Sequence, residues 1–206
     1  MRLKWGLEHG FLYAYPQELA QYQGRQRFAV LLADYFYVTQ KFAKAGEVAD
    51  RLVKGDCGEL GEGARQYPRF LSATSTYWMR GAEAAAAEYL KMVQEVPSLK
   101  GKDVSFTIDR AAYSAGNTGL TSSTEVGRKK AMDLLQELAF SGRENEFVFK
   151  ARIAYGVALI ESGKREEGKN ILESFPDSAG EYRAIAQEYV RGYAETKDSS
   201  RTSSGK

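Results

Sequence analysis

The feature that most limits what this chain can fold into is a spacing of apolar residues, three and four apart, cut into lengths by glycine and proline. Between residues 17 and 44 the apolar positions are Leu19, Tyr22, Phe28, Leu31, Leu32, Tyr35, Phe36, Val38 and Phe42. An α-helix turns once every 3.6 residues, so this row lines one broad face that must be buried. Pro16 stands just before it, where a missing N–H costs nothing and φ is already helical. Ala45-Gly46 then breaks the pattern. Residues 47–54 read as a short second helix, stopped by Gly55.

The unit recurs along the chain. Residues 67–80 are helical in period, Gly81 interrupts, and an alanine-rich run continues to Val96, ended by Pro97. Residues 104–115 make a third first helix, followed by the polar loop 116–124, whose Thr124 is placed to cap a helix reaching about Phe140. Residues 144–162 and 165–175 form a fourth pair around Gly163-Lys164, closed by Pro176. A final amphipathic helix is expected over 179–195, and the tail 196–206, with no apolar residue, is expected to be disordered. Residues 104–108 are the one contender for a strand, and a helix accommodates them equally well.

Helix, glycine turn, helix and proline at a period near 34 residues resembles the tetratricopeptide repeat. In the unit around 67–97, Phe70, Ala73, Tyr77, Gly81, Ala86, Leu90 and Pro97 follow that family's order of large, small and turn residues. In the unit around 149–176, Tyr155-Gly156, Leu159, Gly163, Gly168, Leu172 and Pro176 do the same. Small residues such as Gly156, Ala86 and Gly168 allow paired helices to approach closely, while Tyr77, Leu90 and Leu172 fill the gap to the next pair. Gly46 to Gly81 is a step of 35, and Gly81 to Gly163 is 82, which reads as two periods plus an insertion at 116–124. The first unit carries Arg51 where a small residue is expected, and the third lacks the turn glycine. The resemblance implies an all-α, right-handed solenoid of about four hairpins (17–55, 62–97, 104–141 and 144–176) with a capping helix at 179–195. In that helix Tyr182, Ile185, Tyr189 and Tyr193 would cover the last pair, leaving Arg183, Gln187 and Arg191 in water. A compact helical bundle is the competing architecture.

Chemistry is scarce. One histidine and one cysteine, His9 and Cys57, fall short of a zinc ligand set and lie in no ligand-spaced cluster. A Cys–His dyad or a triad resting on His9 is weaker than a surface histidine and a loop thiol. The glycines of 55–63 match neither a dinucleotide loop nor a P-loop, and three acidic residues among them would repel phosphate. Glu166-Glu167 and Glu144/Glu146 read as solvated helix faces or acidic first turns. The basic spots Arg128-Lys129-Lys130 and Arg25/Arg27 lack an aromatic ladder. With 29 basic and 27 acidic residues, net +2, no global field draws in nucleic acid. No catalytic residue, metal or cofactor is therefore expected.

A single cysteine allows no internal disulfide. The first 20 residues carry Lys4, Glu8 and His9 where a leader needs an unbroken apolar stretch, and the longest apolar run, 28–33, is too short to span a bilayer. The expectation is a cytoplasmic protein, with a removed leader as the alternative.

What remains is recognition. The resemblance implies that first helices line a concave groove holding a partner's peptide or helix. Its positions map onto Phe36, Gln40 and Lys44 in the first unit and Leu71, Ser75, Trp78 and Met79 in the second. In the fourth they map onto Lys150, Ile153, Val157 and Glu161. Trp78 is the natural anchor, unless it and Met79 belong to the core between units. The reading is a non-catalytic adaptor for a protein or peptide. The alternatives are a subunit that uses its repeats for self-association and, further off, a small helical enzyme.

Overall fold

The computed structural model describes residues 14–100 and 104–202, so His9 lies outside the described residues. Ten α-helices follow one another among them. They are α1 (Pro16–Leu19), α2 (Gly24–Val38), α3 (Phe42–Lys54), α4 (Glu62–Arg80), α5 (Ala82–Gln94), α6 (Phe106–Gly119), α7 (Glu125–Ala139), α8 (Glu146–Glu161), α9 (Arg165–Glu173) and α10 (Glu181–Thr202). A 3₁₀ turn, Asp177–Ala179, precedes the last. No strand occurs among the described residues. Residues 106–108 open α6 instead, where the Ser105 hydroxyl caps the first turn by accepting from the Ile108 N–H at 3.3 Å. Thr124 caps α7 as expected, accepting from the Gly127 N–H at 3.0 Å.

From α2 onward each helix packs on the next, and α2, α4, α6, α8 and α10 also pack on one another two places along. The chain is thus a succession of helical hairpins whose first helices touch. Those first helices open at residues 24, 62, 106 and 146, steps of 38, 44 and 40. The spacing is longer than the expected 34.

Two local expectations need correction. The first hairpin turns at 39–41, not at Ala45-Gly46. Gln40 takes φ +60°, its N–H bonds the Tyr37 carbonyl at 2.9 Å, and Lys41 N–H bonds Phe36 at 2.7 Å. Gly163 and Lys164 close α8 with the same pair of bonds, to Ile160 and Leu159, so a glutamine does in the first unit what glycine does in the fourth. Gly46 lies inside α3, where an added Cβ would stand 3.4 Å from Ser75 Cβ, so its smallness serves the packing of α3 on α4. The second correction is at the C-terminus. α10 continues to Thr202 through residues read as tail, and residues 203–206 lie outside the described residues.

The fourth pair packs as its small residues require. A Cβ on Gly156 would fall 2.9 Å from Leu172 Cγ, and one on Gly168 would collide with the Gly156 carbonyl. The main core runs from Ala14 to Leu159. A smaller one joins Phe149, Leu172, Phe175, Ala179 and Ala186, with Tyr182 and Val190 packed against it. α10 therefore docks through Tyr182, Ala186 and Val190, and Ile185 and Tyr189, expected to cover the last pair, are exposed. No helix among the described residues is long and apolar enough to cross a membrane.

Candidate functional site

An open cleft of about 350 Å³ lies between α6, α8 and α10. α8 contributes Lys150, Ile153, Val157 and Glu161, one stripe at helical spacing and the four residues the sequence assigns to a groove in this unit. α6 adds Tyr113 and Asn117, and α10 adds Tyr182, Ile185 and Tyr189. The stripe stays open because α8 spends its other faces on Ala151, Tyr155, Gly156 and Leu159, all buried. Burial raises the pKa of Tyr113 and Tyr182, so both phenols keep their protons and remain hydrogen-bond donors.

The other expected groove positions do not join this cleft. Leu71 and Ser75 are buried, the Ser75 hydroxyl returning to the Leu71 carbonyl at 2.9 Å, because α4 is covered by α3 on one side and α5 on the other. Phe36 is half-buried beneath the Lys44 ammonium, 5.8 Å from its ring centre, and Gln40 is the left-handed turn residue. Trp78 is 57% exposed, stacked on Phe42 with ring centres 5.1 Å apart, and its indole N–H donates to the Tyr37 hydroxyl at 3.0 Å. Met79 beside it is exposed as well. Trp78 is therefore neither core nor cleft. It covers the turn of the first hairpin.

A second constellation has no counterpart in the sequence reading. It joins residues 14–22 to α2, α4, α6 and α8. Tyr15 packs edge-on against Phe106 at 5.0 Å and Phe147 at 6.0 Å. The Glu18 carboxylate, 1% exposed, accepts from Arg110 at 3.0 Å, Thr107 at 3.1 Å and the Tyr15 N–H at 2.9 Å. The Arg110 guanidinium lies among four rings, with centres at 4.4 Å for Phe70, 4.9 Å for Tyr15, 5.8 Å for Tyr67 and 5.9 Å for Phe147. Asp34 on α2 accepts from the Ala14 N–H at 2.9 Å and from the Tyr67 hydroxyl. Tyr22 donates to the Ala64 carbonyl at 2.6 Å. That carbonyl is available because Pro68, four residues on and inside α4, has no N–H to offer it.

Burial dominates the electrostatics here. It raises the Glu18 carboxyl against the pull of Arg110, and it raises Asp34 to about 6 against the hydrogen bonds from Tyr67 and Ala14. Shifted carboxylates are a common mark of catalytic sites, but Glu18 and Asp34 have 1% and 0% of their surface exposed, so no substrate atom reaches them. Glu146 shows the opposite balance. Burial would raise it, but hydrogen bonds from Lys150 and Tyr15 outweigh that and lower it. Lys150 sits 2.5 Å from Glu146, and through that pair the buried constellation meets the cleft. The sequence did carry a trace of the site, in charges set beside or inside apolar rows: Glu18 before Leu19, Asp34 between Ala33 and Tyr35, Asp109-Arg110 between Ile108 and Ala111.

Fold and sites together define an all-helical chain of sequential hairpins, with an open aromatic cleft and a closed ionic site among the described residues. No family model, no curated protein and no solved structure matches the chain. Among the described residues no group of three or more histidine, cysteine, aspartate or glutamate side chains is placed to hold a metal ion.

Proposed function

We propose that this chain is a non-catalytic binding scaffold built of tetratricopeptide-like helical hairpins, and that it takes a segment of a partner protein in the cleft between α6, α8 and α10. The observation that carries the reading is the convergence of Lys150, Ile153, Val157 and Glu161 with Tyr113, Tyr182 and Tyr189 on one open surface. Aromatic and apolar side chains supply area with little rotamer entropy to lose, and one cation and one anion at the rim set the direction of a bound segment. The packing of alternate helices on one another supports an array whose first helices share a face. The hairpin spacing, longer than the family pattern, is the feature this reading must absorb.

The test is to isolate a partner with the full chain and measure its affinity for wild type, Val157→Asp and Trp78→Ala. The expected result is a loss of at least about tenfold with Val157→Asp, at unchanged helicity, and full retention with Trp78→Ala. Equal binding by all three refutes the cleft. If Val157→Asp instead splits an oligomer of the chain itself, the cleft is a self-association surface and the adaptor reading falls.

A further inference from the structure

The segment 14–22 has the anatomy of a bound ligand. α1 is four residues long, a single turn, and a helix of that length has no stability of its own in water. Its order comes from where it sits. Ala20–Gln23, outside any helix, separate it from α2, and the side-chain contacts of residues 14–22 fall on elements 42 to 132 residues away: Ala64 on α4, Phe106, Thr107 and Arg110 on α6, Phe147 on α8. The helices from α2 onward pack mainly on their neighbours and two places along. This segment reaches across four of them.

The receptor half of the contact is built by the hairpins themselves. Phe70 and Tyr67 from α4 and Phe147 from α8 hold the Arg110 guanidinium by their ring faces, and none of these belongs to the segment. The site presents a cation with its stem packed, a hydroxyl from Thr107, and an aromatic wall made by Phe106 and Phe147, whose rings meet edge-on at 5.1 Å. The segment covers it with Tyr15 edge-on against that wall and Glu18 on the cation, three residues apart across one turn opened by Pro16. A buried ion pair of this kind contributes little net stability against an apolar alternative, but it discriminates between partners, because any occupant lacking the carboxylate gives up this charge pair in a buried site.

We propose that Tyr15–Leu19 is a resident ligand of the site formed by Phe70, Phe106, Thr107, Arg110 and Phe147, and that a partner protein carrying an exposed aromatic–proline–any–glutamate turn binds this chain by taking its place. The recognised chemistry is a helical first turn with an aromatic ring and a carboxylate three residues apart. The proposal goes beyond the cleft reading and does not depend on it, since the two surfaces are lined by different residues, which adjoin where Lys150 pairs with Glu146 and where Lys150 and Tyr113 lie against Phe147.

The probe is a labelled nonapeptide, Ala-Tyr-Pro-Gln-Glu-Leu-Ala-Gln-Tyr, the sequence of residues 14–22. Wild type should bind it weakly, because the tethered copy competes at an effective concentration on the order of millimolar. The full-length double variant Tyr15→Ala, Glu18→Ala, checked for native helicity, should bind it at least tenfold more tightly. Replacing the glutamate of the peptide with alanine, or adding Arg110→Ala to the chain, should undo that gain. Binding that ignores the peptide's glutamate overturns the proposal, as does a folded double variant that binds no better than wild type. If the double variant does not fold, hydrogen exchange of wild type decides: excess peptide should speed exchange at Glu18, Leu19 and Ala20, and unchanged exchange at saturating peptide overturns the proposal. Val157→Asp should leave peptide binding intact, so loss of the cleft partner and loss of the peptide are separate results.

Discussion

Asp34 sits on the apolar face of α2 with no exposed surface, held by the Ala14 N–H and the Tyr67 hydroxyl, with Arg110 and Glu18 close enough to shift it. Burial is the largest influence, and it raises the carboxyl from 3.8 to about 6. Between those two pH values the folded chain keeps a proton that the unfolded chain gives up. Stability from this group is therefore greatest in acid, falls as pH rises from about 4 to 6, and levels off above. A shift of that size corresponds to a loss of at most about 3 kcal/mol. Asp34→Asn keeps an acceptor and cannot ionise. Its unfolding free energy relative to wild type should increase by one to about 3 kcal/mol between pH 4 and pH 7, read by urea titration at both. A difference that does not change with pH would show that Asp34 stays ionised in the fold. Glu18 shifts in the same direction and is present in both chains, so the difference reports Asp34 together with its coupling to Glu18.

A helix is the scale at which Pro68 becomes intelligible. Inside α4 it removes one hydrogen bond and crowds the carbonyl four residues back, a defect of about 3 kcal/mol in an isolated helix. Here the Ala64 carbonyl turns to the Tyr22 hydroxyl at 2.6 Å, so a flaw in one element is the docking point of another. Tyr22→Phe should therefore cost about 1–2 kcal/mol. In a Pro68→Ala background, where a backbone N–H again serves Ala64, the same change should cost less than half as much. Equal costs in the two backgrounds, measured as a double-mutant cycle of denaturant midpoints, would sever the link. The same scale shows what could be read from residue order alone. Period, caps and turn glycines place α5 to α9 to within a few residues, because each signal acts within one or two turns. The stripe Lys150, Ile153, Val157 and Glu161 was legible for that reason. Leu71 and Ser75 were misread because their exposure depends on how α3 and α5 flank α4. Gln40 was missed because a left-handed turn is usually marked by glycine. The Glu18–Arg110 pair spans 92 residues, and no local periodicity encodes it.

Among the described residues the helices from α2 onward pack mainly on sequence neighbours and two places along, while residues 14–22 reach α4, α6 and α8. Stability in such a stack is a sum over hairpins and their interfaces, so damage should stay near where it is done. Leu172 on α9 tests this. It is fully buried in the smaller core with Phe149, Phe175, Ala179 and Ala186, and it meets Gly156 across the hairpin. Leu172→Ala removes about 2–5 kcal/mol of packing, and an opening equilibrium weakened by 2 kcal/mol exchanges amide hydrogens about thirtyfold faster. Under native conditions that acceleration should appear in α8, α9 and α10 and leave α2 to α5 unchanged. α8 is the informative border, because Phe149 faces the smaller core while Val148, Ala151 and Tyr155 belong to the larger one. Its amides should therefore open at an intermediate rate, faster than those of α6 and slower than those of α9. If exchange accelerates equally from α2 to α10, the chain unfolds as one cooperative unit. Residues 14–22, which tie α4, α6 and α8 together, would then be part of what makes it so.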